Sequence, residues 1–541
     1  LKKNKNIWYP FLFAVILALG VLIGMKLTEP TSNHKSLFSF RTGQVNKIND
    51  VINYVNQEYV DTVNQKKFTE NTIEDMLHQL DPHSAYIPAD EVEAMNEPLE
   101  GNFEGVGIEF HIQEDTIMVV SPLSGGPSDE LGIQSGDRIV KVNGKNAAGI
   151  HITNRQVTQM LRGPRGTKVE VSILRHGNPK LIDYSITRDK IPIYSVDVGY
   201  MIDDKTGYIK ISHFAERTYE EYVDAFNKLK NEGMEKLILD LRDNPGGYLR
   251  TAIQIADEYL PDGKLIVYTE GRAHPKEIFK ATSKGYFEKG KLIVLIDEGS
   301  ASASEIVSGA LQDQDRATIV GRRSFGKGLV QEQSTFPDGS AIRLTIARYY
   351  TPTGRCIQKT YTRGYDEYEN ELLERYKNGE LLSSDSIHFI DSLKYKTPEG
   401  KIVYGGGGIM PDVFVPLDTT GNSPFFNDVN AKGLVTQFAY DEIDRNRLMF
   451  QKYKSFDEFK RSYSVGEETY TRFIDFALKK GIANDEKGEQ LSSKNIRVQI
   501  KALMARQLWK NEGFYRVIQE LDGTLARAVS LMEMPKIVEK K

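Results

Sequence analysis

The sequence predicts an α+β multidomain chain in five parts: an N-terminal membrane anchor, a helical segment, a β-domain, an α/β core and a C-terminal helical domain. Three observations predict it. An apolar run from Ile7 to Met25 opens the chain, and short strands broken by glycine fill residues 101–188. From Ile191 buried strands alternate with helices until a charged tail of helical spacing takes over. At 541 residues the chain is too long for one ordinary domain. Its 70 basic and 75 acidic residues leave a net charge of −5, so no basic field draws it to nucleic acid. One cysteine, Cys356, excludes an intramolecular disulfide and a cysteine-rich zinc ribbon.

Residues 1–27 read as the anchor. Lys2, Lys3 and Lys5 precede nineteen nearly unbroken apolar residues, which as a helix span about 28 Å, close to the hydrocarbon thickness of a bilayer. Trp8 and Tyr9 sit where an interfacial aromatic belt belongs. The alternative is a cleaved signal peptide, but its apolar core would be shorter, and no convincing small-x-small site follows Gly24. Basic residues on the N-terminal side keep that end cytoplasmic. Everything after about Thr28 is then expected outside, in the periplasm or at the exterior of a bacterial cell. Residues 28–44 form a polar linker. Over 45–98 apolar residues recur at helical spacing, as Ile48, Val51, Ile52 and Val55 and again as Ile73, Met76, Leu77 and Leu80.

Residues 99–190 carry Gly105-Val106-Gly107-Ile108-Glu109-Phe110, a strand from Thr116 to Val120, a helix Thr153–Leu161 and a strand Lys168–Leu174. This order, with the run GDRIVKVNG at 136–144, resembles a PDZ domain. The resemblance implies that Gly105, Val106, Gly107 and Ile108 hold a peptide's C-terminal carboxylate on backbone N–H groups. Val157 and Leu161 on the facing helix would complete the peptide-binding groove.

Residues 191–422 form the α/β core. Strands are expected at Lys236–Leu241, Lys291–Asp297, Ala317–Gly321, Leu329–Thr335 and Ala341–Tyr350, and helices at Tyr248–Tyr259 and Ser302–Asp313. A charged, Tyr- and Glu-rich insertion, 359–400, is partly helical. Residues 423–541 read as a separate helical domain, striped by Ile496, Ile500, Leu503 and Leu508 and by Phe514, Val517, Ile518 and Leu521.

Two segments of the core suggest chemistry. Gly299-Ser300-Ala301-Ser302-Ala303-Ser304-Glu305 lies where a buried strand turns into a helix, a place that exposes a nucleophile and offers free N–H groups to an oxyanion. Ser302-x-x-Glu305 is equally a capping box that needs no chemistry. Gly321 to Gly328 contains G-x-x-x-x-G-K, yet Gly328 stands where a phosphate loop needs Ser or Thr, and a strand follows instead of a helix. The nucleotide reading therefore fails. A serine needs a base, and a lysine can be one if burial lowers its pKa from about 10.4 toward neutrality. Lys327 has apolar neighbours in Phe325, Leu329 and Val330, with no acid within seven residues before it or four after. Gln331 lies four residues on, so a strand puts it on the face of Lys327.

GSASASEIVSGALQDQDRATIVGRRSFGKGLVQ, residues 299–331, resembles the signature of the carboxy-terminal processing, or tail-specific, proteases. The resemblance extends over roughly 45–416. It implies a PDZ domain inserted before a crotonase-like core, with Ser302 as nucleophile, Lys327 as base and Gln331 supporting the lysine. It further implies an oxyanion hole from the Ala303 amide and a loop amide of Asp240-Leu241-Arg242-Asp243-Asn244-Pro245-Gly246-Gly247, with Gly246 and Gly247 both open. Asp313 matches a family acidic position and is read as structural. A Ser–His–Asp arrangement through His213 has weaker support, and no His-Glu-x-x-His or acidic cluster points to a metal, so no metal or cofactor is expected. The expected function is extracytoplasmic serine endopeptidase acting on unfolded or tagged proteins with free C-termini. The competing reading is a membrane-tethered PDZ scaffold without catalysis. A homo-oligomer or an adaptor partner stays open.

Overall fold

Lys236–Asp240 and Lys291–Ile296 show no polar alternation, and a strand apolar on both faces must be covered twice. In the computed structural model, which describes residues 47–123, 125–175 and 177–534, these two strands lie at the centre of a six-stranded sheet. Its order is Val196–Met201, Thr206–Ile211, Lys236–Asp240, Lys291–Ile296, Thr318–Gly321 and Val413–Phe414. Only the first pair is antiparallel. Leu237, Leu239, Val294 and Ile296 pack with the helices Thr218–Asn231, Leu249–Asp257 and Ala303–Asp313 on one face. Alternate residues Ile238, Ile293 and Leu295 meet Leu525, Ala528 and Met532 of the helix Gly523–Glu533 on the other.

That second cover comes from the C-terminal tail, read from the sequence as a helical domain. The last helix is a layer of the core, its Leu525, Ala528 and Met532 buried against the sheet's second face beside Tyr515 of the helix Glu486–Ile518. The rest of the tail also reaches the PDZ sheet, whose Met118 and Val120 share a cluster with the tail's Val435, Phe438, Ile496 and Ile500. Arg506 pairs with Glu109 at 2.8 Å and Gln113 donates to Asp441 at 2.7 Å across the same contact. The long helix Glu486–Ile518 breaks at Trp509 and Lys510, where φ/ψ leave the helical region. Arg506, before the break, faces the PDZ sheet; Tyr515, after it, bonds Asp197 of the core at 2.6 Å.

The PDZ segment enters on Asn102–Gly105 and leaves on Asp189–Pro192, which pair antiparallel with Asn102 opposite Pro192. Between them lies a sheet ordered Ile108–Gln113, Thr116–Pro122, Arg138–Val142, Lys168–Leu174 and Ile182–Thr187. The helix Asn154–Leu161 starts at a Thr153 cap with Gln156 completing the capping box. A second core sheet is built on Ala341–Tyr350, which pairs with Leu329–Thr335, Ala85–Ile87 and Leu265–Glu270. The insertion contributes the helix Tyr365–Lys377.

Up to Met76 the described chain is the helix Lys47–Glu58, which has no buried residue, and most of the helix Gln65–His78. The expected anchor, Ile7–Met25, and the linker lie outside the described residues. Among the described residues no helix is long and apolar enough to cross a membrane.

Candidate active site

The turn after Lys291–Ile296 is tied to the loop after Lys236–Asp240. Asp297 accepts from the Asp243 amide at 2.9 Å, Ser300 Oγ donates to the Leu241 carbonyl at 2.7 Å, and the Ala301 amide donates to the Asn244 carbonyl at 2.9 Å. Only glycine fits at 299, where a Cβ would lie 2.9 Å from Asp243 Cα. The chain then passes through Ser302 at φ 53° and ψ −111°, left-handed for a residue with a side chain. Such a conformation costs on the order of 1–3 kcal/mol and persists only where surrounding bonds impose it.

Glu305 supplies those bonds. Its carboxylate is fully buried. Oε2 accepts from the amides of Ser302 (2.9 Å) and Lys327 (2.8 Å), and Oε1 from the Gly326 amide (2.7 Å) and Ser324 Oγ (2.5 Å). Burial pushes its carboxyl above the usual range, against those four bonds. The Ser302 hydroxyl makes no side-chain cap bond. Tyr349 adds a second tie, its hydroxyl 2.7 Å from the Lys327 carbonyl and 3.2 Å from the Ser302 carbonyl. The S-x-x-E spacing was legible in the sequence; that the glutamate also holds the lysine's loop was not.

Lys327 precedes the strand Leu329–Thr335, where a phosphate loop would have opened a helix, and its Nζ donates to Gln331 Oε1 at 3.0 Å. It makes no hydrogen bond to Ser302 Oγ. Burial pushes the amine below its ordinary pKa, and the Arg343 charge acts in the same direction. Asp81 and Glu305 pull it back, so acids distant in sequence reach a lysine with no acidic neighbour along the chain. Gln331 Nε2 donates to the His83 carbonyl. The insertion helix closes the loop from behind, with Arg375 donating to the carbonyls of Ser324 (2.8 Å) and Phe325 (3.1 Å).

The loop glycines differ. A Cβ on Gly246 would lie 2.7 Å from Ser302 Cβ and 2.9 Å from the Ala303 nitrogen, so this glycine stacks directly on the elbow. Its own amide donates to Asn244 Oδ1 at 2.9 Å. Gly247, at φ 144°, sits so close to Phe214 that a Cβ would meet the Phe214 carbonyl oxygen at 2.0 Å. Its amide and that of Ala303 have no intramolecular acceptor among the described residues.

In the PDZ segment the carbonyl of Val106 accepts from Ser128 Oγ at 2.6 Å and that of Gly107 from the Leu123 amide at 2.9 Å. The Val106 and Gly107 amides have no acceptor among the described residues, and Gly107 is left-handed at φ 74°. Gly105 is paired with Asp189. Val106, Ile108, Val157 and Leu161 are all buried in the PDZ core.

The rejected alternatives have plain structural accounts. His213 meets Ser212 Oγ at 3.2 Å through Nδ1 and makes no hydrogen bond to Ser302. Asp313 is buried in an ion pair with Arg355 at 2.7 Å and caps Thr353.

The sequence matches peptidase family S41 over residues 205–364, a PDZ domain over 118–175, the N-terminal domain of the activating protease CtpB over 22–91, and a family of unknown function over 425–510. It is 37% identical over 381 residues to a carboxy-terminal-processing protease of Bartonella bacilliformis, covering 70% of this chain and 86% of that one. It is 32% identical over 360 residues to the carboxy-terminal processing protease CtpA of Bacillus subtilis, covering 66% and 76%. Among solved structures, a photosystem II D1 C-terminal processing protease aligns at 26% identity over 67% of this chain and 84% of that one, with a TM-score of 0.35.

Proposed function

The chain belongs to the carboxy-terminal processing serine proteases of peptidase family S41, and on that premise we propose that Ser302 is its nucleophile and Lys327 its general base. The observation that carries the assignment is the Glu305 oxygen shared by the Ser302 and Lys327 amides, which holds the two segments at one point. The lowered pKa of the buried amine supports the base role, since only the neutral amine can take a proton.

In this reading Lys327 keeps one N–H on Gln331 Oε1 and brings its lone pair to Ser302 Oγ when substrate binds, as catalytic contacts often tighten only in the complex. It takes the hydroxyl proton as Oγ attacks the scissile carbonyl. The Ala303 amide and a loop amide stabilise the oxyanion, and the bonding of Gly246 to Asn244 favours Gly247 for the second donor. Lys327 then gives its proton to the leaving amine, and water attacks the acyl-enzyme with the lysine again as base.

The free amides of Val106 and Gly107 support capture of a C-terminal carboxylate by the PDZ loop. The paired stem Asn102–Gly105 and Asp189–Pro192 supports a PDZ domain over 99–190 inserted ahead of a protease core over 191–422. The lysines and apolar run of residues 1–27 support a single-pass anchor with the catalytic part outside the cytoplasm.

The test is hydrolysis of an unfolded reporter by the full chain, with the reporter's C-terminus free or amidated, followed by mass spectrometry. Ser302→Ala and Lys327→Ala are expected to lose at least about 10⁴-fold in kcat, with binding of the free-ended peptide kept. Full activity in Ser302→Ala would refute the assignment; equal cleavage of the amidated reporter would refute PDZ delivery.

A further inference from the structure

A side-chain amide beside a catalytic amine can help or block it, depending on which end it presents. With Oε1 toward Lys327, Gln331 accepts an N–H and leaves the neutral amine's lone pair for the serine proton. With Nε2 there, the amide would donate into that lone pair and occupy it. A neutral amine both donates and accepts, so Lys327 cannot select the orientation. A backbone carbonyl only accepts, and the His83 carbonyl meets the far end of Gln331, so it is the group that forces Nε2 away from the lysine.

The His83 carbonyl is held by a turn that begins 248 residues before the strand it serves. Asp81, 6% exposed, accepts from the amides of His83 (2.9 Å) and Ser84 (2.8 Å) on Oδ1 and from Ser84 Oγ (2.7 Å) on Oδ2. Thr345 Oγ1 donates to Asp81 Oδ1 at 3.1 Å and the Thr345 amide donates to Ser84 Oγ at 3.1 Å. Thr345 is the cross-strand partner of Gln331, so the turn is pinned at the register position it acts on. Beyond it Ala85–Ile87 continues as a strand beside Arg343, Ile342 and Ala341. The His83 ring points elsewhere, with Nε2 2.6 Å from the Tyr368 hydroxyl of the insertion helix.

We propose that the turn Asp81–Ser84 is a positioning element of proteolysis, in which Asp81 presents the His83 carbonyl to Gln331 and so keeps the lone pair of Lys327 aimed at Ser302. The inference rests on the Ser302–Lys327 assignment above. Asp81 touches neither substrate nor the reacting atoms. Its positioning effect passes through Gln331, a signature an ordinary stabilising residue lacks, and because Asp81→Asn removes the carboxylate's pull on the Lys327 amine as fully as Asp81→Ala does, the two variants separate positioning from charge.

The test is a double-mutant cycle in the full chain, reading kcat and KM for the unfolded reporter. Asp81→Ala and Gln331→Ala should each lower kcat by about 10- to 100-fold, the scale of a small misplacement at a reacting group, with KM and binding of a free-ended peptide unchanged. The double variant should be no worse than the poorer single. Asp81→Asn retains an acceptor for the two amides and should recover kcat to within about threefold of wild type. Ser84→Ala, a milder change, should cost a few-fold, and that cost should vanish in the Gln331→Ala background. Losses that multiply in the double variant, or a fall in peptide binding equal to the fall in kcat, would overturn the proposal. Should Ser302→Ala remain active, the dyad assignment itself has failed; multiplying losses with an inactive Ser302→Ala sink the positioning role alone.

Discussion

Replacing Glu305 separates its geometric role from its charge. All four neighbours of the carboxylate are donors: three amides, and Ser324 Oγ, which itself accepts from the Ile409 amide at 2.6 Å. Glu305→Gln can keep its oxygen at the Oε2 position, preserving the bonds to Ser302 and Lys327. It then turns its NH₂ toward Ser324 Oγ, which can rotate to accept, and toward the Gly326 amide, which cannot. One bond to a charged acceptor is lost and one buried donor left unpaired, about 2–4 kcal/mol, less the relief of removing a buried charge, so that roughly 2 kcal/mol remain. Glu305→Ala strands all four donors and frees the strained Ser302 backbone. Displacement of the nucleophile by about 1 Å costs on the order of 100-fold. We expect Glu305→Gln to retain activity within about tenfold while melting roughly 4–8 °C lower, and Glu305→Ala to lose at least about 100-fold in kcat at temperatures where it stays folded. Steady-state hydrolysis with thermal melting of each variant checks this. Wild-type activity in Glu305→Ala, or a Glu305→Gln as inactive as Glu305→Ala, would refute the argument that Oε2 holds the dyad together.

Two further predictions concern buried charges. Lys327 is held below its ordinary pKa, so the fold favours the neutral amine and the unfolded chain binds the extra proton. Activity should therefore rise with pH through the lowered pKa. Lys327→Met should abolish hydrolysis yet raise the melting temperature near neutral pH, with the gain shrinking as pH climbs toward the unfolded lysine value; a melting difference independent of pH would count against it. Asp313 and Arg355 pair with both side chains at 0% exposure. Asp313→Ala should destabilise the core by about 3–5 kcal/mol, seen in denaturant titration, with kcat per folded molecule nearly unchanged.

Much of the fold was legible because its signals are local. Lys291–Ile296 and Leu329–Thr335 follow from apolar runs and β-branched residues, and the start of the elbow helix follows from the S-x-x-E spacing, whose Glu305 accepts from the Ser302 amide. The rejection of a nucleotide loop needed only the absence of a hydroxyl at Gly328 and a strand after it. The C-terminal tail shows the limit. Its helical stripe was visible, but a stripe does not say what it faces, and Leu525 and Met532 cover the core sheet while Ile496 and Ile500 pack with PDZ strands. The insertion behaved the same way: its charged, partly helical character was visible, but not that Arg375, 3% exposed, would close on the loop of Lys327.

The chemistry available could be read before any fold was known: a serine at a strand-to-helix turn, a lysine among apolar residues, a glutamine four residues on, and a glycine loop able to approach them. Those are matters of residue type and short spacing, which the backbone's few allowed conformations convert directly into local geometry. Tertiary structure decided what surrounds them. Glu305 gathers donors up to 22 residues away, the His83 carbonyl reaches Gln331 across 248, and the lysine's charged neighbours Asp81 and Arg343 come from other segments entirely. Such contacts exist only once the sheets have paired and water has been excluded. Burial then makes each remaining hydrogen bond obligatory and each charge felt, and no local pattern carries that information.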